Sequence, residues 1–483
     1  MKVKYFLYAI FVVSLLFAGM TLYLRFSDDG GEGSGSSALL PPEIKDRGKT
    51  SSGKAGKLGI AYAGDLIGSL KPCNCTEPPS GGVARRATAI NDFRKQRPNM
   101  PILVVDTGNA MKQSDNLEDS ANRWVVEALE ALGNDVINTN LGDLRRLERL
   151  AQAGKIPKDL KNNYITTMLE TEAPSPFSTK PFLVKTLRSE TGGVEAKVGV
   201  LALSSIPPSL TATADTLAVD DALKRYLPEV DAQSDIVVLL TRKNEAELKQ
   251  IAQAYPAVDV IINGNSTGDG REYPKAGKTI IVESMRQGIG LGTLDLEWDS
   301  HGHIIKYKNQ TVPLLSVISD SPELAKIVEK AHQDALAQAE MEAKKTPATK
   351  VKSIYGGPKA CKPCHEDAYS IWAKSRHARA IETLKAKSSQ YDDACLVCHA
   401  TGATLRMKKK GGFINVIQTP RLASVSCEAC HGTSLKHIAA PEKVKTGLGI
   451  VSRPTEATCK RCHNQQYSPN FSYQDYWNKI SHK

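Results

Sequence analysis

The sequence predicts an α/β domain followed by a mostly α-helical domain, with a membrane-spanning helix ahead of both. Three observations support this prediction. Short apolar segments alternate with helical patterns between residues 58 and 315, and eight of the ten cysteines lie after residue 360. A run of 20 mostly apolar residues without a charge, Tyr5–Leu24, lies near the N-terminus. A chain of 483 residues is long enough for two or three domains.

Residues 1–25 are predicted to form an uncleaved signal anchor, and a cleaved signal is the alternative. Lys2 and Lys4 precede the apolar run, which has about the length that a membrane-crossing helix needs. The run lacks a small-x-small cleavage site. The positive N-terminus stays in the cytoplasm, so we expect a single-pass protein of the inner (cytoplasmic) membrane with its bulk in the periplasm. Residues 26–57 are predicted to be a flexible linker.

The α/β domain is predicted to cover residues 58–315. Its alternation of apolar segments and helical patterns is typical of a layered α/β fold. Residues 316–356 include an amphipathic stretch and are predicted to be a helix and a linker. The predicted strands include ILVVDTG, DVINTN, KVGVLALSS, DIVVLL, VDVIING, TIIVES and LGTLDLEWD.

Residues 357–483 contain four C-x-x-C-H motifs, CKPCH, CLVCH, CEACH and CKRCH, spaced by 34, 32 and 32 residues. This pattern is the attachment signature of c-type haem, in which two thiols bond the haem and the histidine binds iron. A zinc half-site or a redox dithiol would explain one motif but not all four. We therefore predict four covalently bound haem c groups that form the core of a helical domain. Their predicted ligands are Cys361, Cys364, Cys395, Cys398, Cys427, Cys430, Cys459 and Cys462, with His365, His399, His431 and His463.

Three more histidines of this region, His377, His437 and His482, are candidate second axial ligands. The stretch HEDAYSIWAKSRHARAIETL is predicted to be one helix, on which His365 and His377 would lie about 18 Å apart and serve different irons. His437 is likewise too close to His431 in sequence for both to coordinate the same iron easily. The alternative is that each is a surface histidine. Three ligands for four irons leave one iron five-coordinate, unless it borrows Met407 or His332.

This C-terminal region resembles the tetrahaem cytochrome c-554 family. The resemblance covers residues 357–483. It is carried by CKPCHEDAYSIWAKSRHARAIETL, by CLVCHATG with GGF after it, by VSCEACHG and by SYQDYWNKISHK. It implies bis-histidine haems that use His377, His437 and His482. It also implies that the haem of the second motif, at His399, has no sixth ligand from the protein.

The α/β domain resembles the metallophosphatase domain of the 5′-nucleotidase family, through its strand order, the GG-ARRATAI segment and LGTLDL. The family hydrolyses phosphoesters with two metals held at strand ends by Asp, His and Asn. Here the opening Asp-x-His is Asp65-Leu66-Ile67, so the histidine is absent. We therefore predict a catalytically degenerate domain. The other metal-ligand positions correspond to Asn109, Leu141, Gly142, Asp143, Arg242, Asn265 and Thr267.

The segment GDLIGSLKPCNC, which begins with the same aspartate, ends in Cys73 and Cys75. A disulfide between residues i and i+2 would be strained and easily reduced, so the two form a candidate redox pair. A structural disulfide and a soft-metal site are the alternatives.

These features predict a membrane-anchored, extracytoplasmic tetrahaem electron carrier whose phosphatase-like domain serves docking or redox chemistry. The alternatives are a haem oxidoreductase that reduces a small nitrogen or oxygen compound at an open haem, an active metallophosphoesterase with a cytochrome tail, and a scaffold for a haem conduit. The expected partners are redox proteins and the membrane. The net charge is +11, but no basic aromatic motif accompanies it, which argues against nucleic acid. The run Arg406–Gly412 would either dock an acidic redox partner or be a solvated loop.

Overall fold

The structure is a computed structural model. It describes residues 54–72, 78–112, 121–156, 160, 163–169, 179–204, 216–264, 270–345, 353–441, 448–464 and 468–482. The predicted signal anchor and most of the predicted linker, as well as Cys73 and Cys75, lie outside these residues. In the part of the chain that is described, no helix is both long and apolar enough to span a bilayer.

Two β-sheets form the α/β region. The first sheet has the strand order β11-β10-β1-β2-β3-β4 and the second has the order β5-β6-β7-β8-β9. Strand β1 pairs in parallel with β2 and antiparallel with β10. The strands are β1 (Gly56–Ala63), β2 (Ile102–Asp106), β3 (Val136–Asn138), β4 (Tyr164–Ile165), β5 (Phe182–Arg188), β6 (Glu195–Leu203), β7 (Ile236–Thr241), β8 (Val260–Asn263), β9 (Ile280–Glu283), β10 (Gly290–Trp298) and β11 (Ile304–Pro313).

The two sheets pack face to face, and helices cover their outer faces. Alternation along β1 sends Ile60 and Tyr62 into the apolar layer between the sheets and Ala61 towards the helices. Side chains from both sheets, such as Val105 and Val238, are wholly buried in that layer. The predicted α/β fold is therefore confirmed as a layered sandwich. Its helices are α1 (Val83–Lys95), α2 (Ala121–Ala131) and α3 (Leu141–Gln152) on the first sheet, and α4 (Val219–Gln233) and α5 (Glu245–Ala254) on the second.

A long helix, α6 (Pro322–Lys345), leads from the sandwich to the C-terminal region. Its first half packs on the sandwich, where Leu324 is buried and Asp334 accepts a hydrogen bond of 3.1 Å from Trp124 Nε1. Near its other end, the Ala343 carbonyl lies 3.5 Å from Gln418 Nε2 of the C-terminal region. The helix extends over about 36 Å, at 1.5 Å per residue. It therefore contacts both regions rather than merely separating them.

The C-terminal region consists of short helices and turns. Its single apolar cluster among the described residues is small and surrounds the second motif, with Leu396 and Phe413 in it. The helices α8, α13, α14 and α15 bury no residue. The helices are α7 (Pro358–Cys361), α8 (Glu366–Lys374), α9 (Ala380–Lys385), α10 (Asp393–His399), α11 (Leu405–Lys408), α12 (Cys427–His431), α13 (Leu435–Ala439), α14 (Glu456–Lys460) and α15 (Tyr473–Ile480).

The prediction of one helix from His365 through Leu384 is wrong. Helix α8 ends at Lys374, because Ser375 is extended with ψ at 164°. The Ser375 hydroxyl donates a 2.6 Å hydrogen bond to the Trp372 carbonyl and so competes with the helical backbone. A 3₁₀ turn, His377–Arg379, leads into α9. The estimated separation of 18 Å along a single helix therefore does not apply.

Candidate functional site

Asp65, Asn109 and Arg242 converge where β1, β2 and β7 end. Asp65 Oδ1 accepts hydrogen bonds from Asn109 Nδ2 at 2.6 Å and from Arg242 Nη2 at 2.9 Å. Arg242 Nη1 donates to the Gly264 carbonyl at 2.7 Å. The side chains of Asp65 and Arg242 are only 9% and 13% exposed. A guanidinium is thus held against the aspartate that corresponds to the first metal ligand of the phosphatase resemblance.

The backbone around this ion pair is strained. Asp65, Ile67, Asn109 and Gln287 all have positive φ values, between 50° and 60°. Such values are uncommon for residues other than glycine, and they persist where surrounding contacts enforce them. The Gln287 N–H points at Asp65 Oδ2 from 3.4 Å. Both carboxylate oxygens of Asp65 therefore face donors from the chain itself.

The other positions of the phosphatase resemblance contribute little that a metal would bind. Leu141 and Gly142 lie in the first turn of α3, and Asp143 accepts a hydrogen bond of 3.1 Å from the Ala110 N–H. Burial raises the pKa of Asp143 to about 6. Asn265 and Thr267 fall outside the described residues. Among the residues that are described, no three His, Cys, Asp or Glu side chains cluster so that they could hold a metal ion.

Arg242→Met is expected to destabilise the sandwich by about 3 kcal/mol, because it leaves the buried Asp65 carboxylate without its cation. Adding Asp65→Asn should recover part of this loss, since the neutral amide needs no counter-charge. Denaturant unfolding monitored by circular dichroism measures both variants. An unchanged unfolding midpoint in Arg242→Met would contradict the assigned ion pair.

Each C-x-x-C-H motif is built around a helical turn. In the first and fourth motifs the histidine N–H bonds back to the carbonyl of the first cysteine, at 3.0 Å for His365 and 2.9 Å for His463. A cysteine, the cysteine three residues on and the next histidine thereby share one face of the turn. The eight cysteines of the motifs are free thiols in the structure. This is the arrangement that attachment of one haem per motif requires.

The three additional histidines each face the histidine of a motif. The ring centroids are 6.3 Å apart for His365 and His437, 6.0 Å for His377 and His463, and 5.7 Å for His431 and His482. A metal–nitrogen bond is about 2 Å long, so two imidazoles on opposite faces of one iron have centroids about 6 Å apart. All three distances suit one iron between two rings.

His399 of the second motif differs from the other motif histidines. Within the described residues, no second imidazole faces its ring, and its Nδ1 lies 2.8 Å from the Ala380 carbonyl. His431 Nδ1 similarly lies 2.7 Å from the Val451 carbonyl. A carbonyl only accepts, so both Nδ1 atoms carry the proton and leave the Nε2 lone pair free for a metal. Both histidines therefore have the tautomer that iron coordination needs.

Contacts between thiols link the motifs to one another. The Cys361 thiol lies next to the Cys427 thiol, and the Cys398 thiol lies next to the Cys462 thiol. Burial raises the pKa of the Cys430 thiol to about 11, and the nearby Cys459 thiol adds to this rise. The motifs therefore follow one another in space in the order first, third, fourth and second.

The residues present fit haem. Ile371 of α8, Leu435 and Ile438 around His437, and Val397 inside the second motif are large apolar side chains with more than a third of their surface exposed. They lie on the same short elements as the motif and partner histidines, where a flat apolar macrocycle needs an apolar wall. Burial also lowers the pKa of His377, with the charge of His463 as a smaller cause, and this favours the neutral imidazole that binds iron.

Sequence reasoning missed two elements of this region. Glu428, between the cysteines of the third motif, is buried and accepts hydrogen bonds from the Gly356 and Gly357 N–H groups at 3.0 and 2.8 Å. Phe471 stacks on His463 with the ring centroids 5.1 Å apart. A charged residue inside the third motif was the only available signal for the first contact, and none existed for the second.

Comparison with known proteins supports both resemblances. Residues 360–432 match the family model described as cytochrome c554 and c-prime. The chain is 32% identical over 93 residues to cytochrome c-554 of Nitrosomonas europaea, which covers 16% of this chain and 38% of that protein. It is 24% identical over 273 residues to 5′-nucleotidase of Bos taurus and 25% identical over 280 residues to that of Homo sapiens. Each of these two alignments covers 50% of this chain and 46% of the relative.

The chain spans less than half the length of each of these relatives. Among solved structures, a 5′-nucleotidase precursor from Thermus thermophilus is 15% identical, with a TM-score of 0.47. That match covers 58% of this chain and 59% of the other chain. The two resemblances expected from the sequence, one in each region, are confirmed.

Proposed function

We propose, from the union of a 5′-nucleotidase-like region with a cytochrome c554-type region, that this protein is an electron carrier with four haem c groups. It would be anchored in the inner membrane through Tyr5–Leu24, with its bulk in the periplasm and redox proteins as its partners. The observation that carries the proposal is the set of three histidine pairs with centroids 5.7 to 6.3 Å apart. Bound haem would supply one-electron redox chemistry.

The residues divide into attachment and coordination roles. In each motif the two cysteines would attach the haem and the motif histidine would bind its iron. His437, His482 and His377 would be the opposite ligands for the first, third and fourth motifs. Each pair joins residues from different segments, so ligation would also hold the short helices together.

The second motif supports an alternative function. Without a histidine opposite His399 in the described part of the chain, its iron would be five-coordinate and open to a small molecule. The protein would then be a haem oxidoreductase for a nitrogen or oxygen compound. Met407 packs against the same apolar cluster as Cys395. It is one of the two side chains that could coordinate this iron as a sixth ligand and so close the site to a small molecule. The other is His332 of α6.

The 5′-nucleotidase-like sandwich would be catalytically degenerate. The guanidinium of Arg242 already neutralises Asp65, and a divalent ion would have to displace it. We propose that the sandwich serves docking instead. Burial lowers the pKa of Lys71, which lies in the loop that follows β1. The negative charges of Glu329 on α6 and of Asp392 beside the second motif oppose this shift. The sandwich, α6 and the second motif therefore lie close together at this loop.

Cys73 and Cys75, which follow Lys71 closely in sequence, remain a candidate redox pair. If they exchange electrons with the haems, thiol labelling of the full-length protein at controlled potentials should detect a dithiol and a disulfide state. Haem reoxidation should also change in Cys73→Ser. A pair that stays in one state, with unchanged reoxidation in the variant, would make it structural.

The exported full-length protein tests the main proposal. Its intact mass should exceed that of the polypeptide by four haems, and it should be reduced by dithionite and reoxidised by ferricyanide. A mass showing two haems or none would overturn the carrier assignment.

Added Mn²⁺ or Zn²⁺ is expected to elicit no release of phosphate from a nucleotide, because Arg242 occupies the carboxylate that the first metal would need. The control is the same assay after prolonged dialysis against chelator. Phosphate release that depends on the metal would favour the active metallophosphoesterase instead.

A further inference from the structure

We infer that the segment Leu405–Lys410, named here the basic platform, docks an acidic electron-transfer protein beside the second haem-attachment motif. The inference rests on the proposed electron-carrier function. Sequence alone left this segment undecided between a docking site and a solvated loop. Three features of the structure favour docking: unpaired positive charge, a fixed backbone and an exposed apolar centre.

The platform carries positive charge that the described residues do not neutralise. Arg406, Lys409 and Lys410 are exposed, and no carboxylate among the described residues forms an ion pair with them. Lys408 instead pairs with Asp393 at 2.5 Å, in the first turn of α10, the helix that ends in the second motif. The pairing fixes the platform to the motif and leaves its other three cations available to a partner.

The backbone of the platform is held in place, unlike that of a solvated loop. The Lys410 carbonyl accepts a hydrogen bond from the Ile354 N–H at 3.2 Å, and the Ser353 hydroxyl donates to the Gly411 carbonyl at 2.8 Å. Gly411 has φ at +77°, and a Cβ there would lie 2.5 Å from Ser353 Cα. The glycine therefore permits a close approach that fixes the platform. A fixed surface loses little conformational entropy on binding.

The platform also exposes an apolar side chain next to these charged residues. Leu405 is 77% exposed, and Met407 on the same helix packs inward on the cluster that also contacts Cys395. A polar, charged rim around an apolar centre is the usual anatomy of a protein-binding surface. Opposite charge on the partner would speed its encounter and orient it.

The position of the platform agrees with electron exchange. The second motif is the last in the spatial order of the four, so it is one of the two ends at which electrons would enter or leave. A partner docked on the platform would lie against that end. An anionic membrane would be attracted by these cations equally well. It does not exchange electrons, however, so it would not account for the position of the platform beside the second motif.

The test uses the full-length haem-loaded protein and flavodoxin hydroquinone, a small acidic electron-transfer protein, as the probe. Stopped-flow reduction would be followed at low and high salt in the double variant Lys409→Glu/Lys410→Glu. The matched control is Lys224→Glu/Lys308→Glu, which changes net charge equally at exposed lysines of the sandwich. The bimolecular rate constant at low salt should fall at least about tenfold in the platform variant and less than about twofold in the control. The variants should converge at high salt, where the charges are screened.

Equal slowing of both variants would assign the effect to overall charge and overturn the docking site, as would unchanged rates in both. Loss of binding to phosphatidylglycerol vesicles with unchanged reduction rates would make the platform a membrane contact and also overturn the inference. Failure of the proposed function would look different, because wild type itself would then not be reduced, even by dithionite.

Discussion

Cys427→Ser combined with Cys430→Ser is expected to remove one haem and to destabilise the whole C-terminal region. The third motif lies in the middle of the spatial order, since Cys427 contacts Cys361 and Cys430 lies near Cys459. The described residues supply only one small apolar cluster in this region, around the second motif. Loss of the central haem would therefore leave the third motif and its neighbours without a core, and the buried Glu428 without a firm support.

The matched control is Cys395→Ser with Cys398→Ser in the second motif, at one end of the order. It should also lose the mass of one haem, but the protein cluster around that motif should keep the helices folded. Intact mass spectrometry counts the haems, and denaturant unfolding compares the stabilities. Equal loss of stability in the two double variants would contradict the central position of the third motif.

His482→Ala is expected to convert one further haem from low spin to high spin. The ring of His482 faces that of His431 at 5.7 Å, and its removal would leave water or nothing as the sixth ligand of that iron. The ferric wild type should be mostly low-spin with a minor high-spin component from the second motif. His377→Ala and His437→Ala should each have the same effect on another haem. Electron paramagnetic resonance of the ferric protein resolves these states.

His301→Ala is the control, since His301 lies exposed in the turn between β10 and β11 and its loss should leave every haem unchanged. A wild-type protein with only low-spin haem would show that the iron at His399 is not open. Met407→Ala and His332→Ala would then identify the residue that closes it. A low-spin spectrum retained in all three histidine variants would remove the axial assignments.

Much of the sandwich was predictable because its central strands are buried on both faces and are therefore continuous apolar runs. The apolar segments in β2, β6, β7 and β8 illustrate this. Some strands at the sheet edges gave no such signal, although the edge strand β9 did. Strand β11, for example, alternates with exposed lysines and lies at the edge of the first sheet. The break at Ser375 was also missed, because it depends on one side-chain hydrogen bond rather than on periodicity.

In the candidate sites, too, features formed by neighbouring residues could be predicted from the sequence, whereas contacts between residues far apart in the sequence could not. Spacing predicts four attachment motifs, since two cysteines and a histidine would act within one helical turn. Spacing alone does not reveal which histidine faces which, because His365 meets His437 only through the tertiary fold. Likewise, the sequence indicated that Arg242 stands where a metal ligand is expected. Its pairing with Asp65, 177 residues away, required the structure.

The histidine pairs also predict an order of events in the maturation of the proposed haem protein. If the chain is exported as proposed, its N-terminal side emerges first, so His365 would be available before His437, and His377 before His463. Covalent attachment needs only the residues of one motif, whereas each pair needs a histidine from a distant segment. Maturation of the proposed haem protein would therefore have two stages, in which haem is first attached to an open chain and the paired histidines then close around the iron.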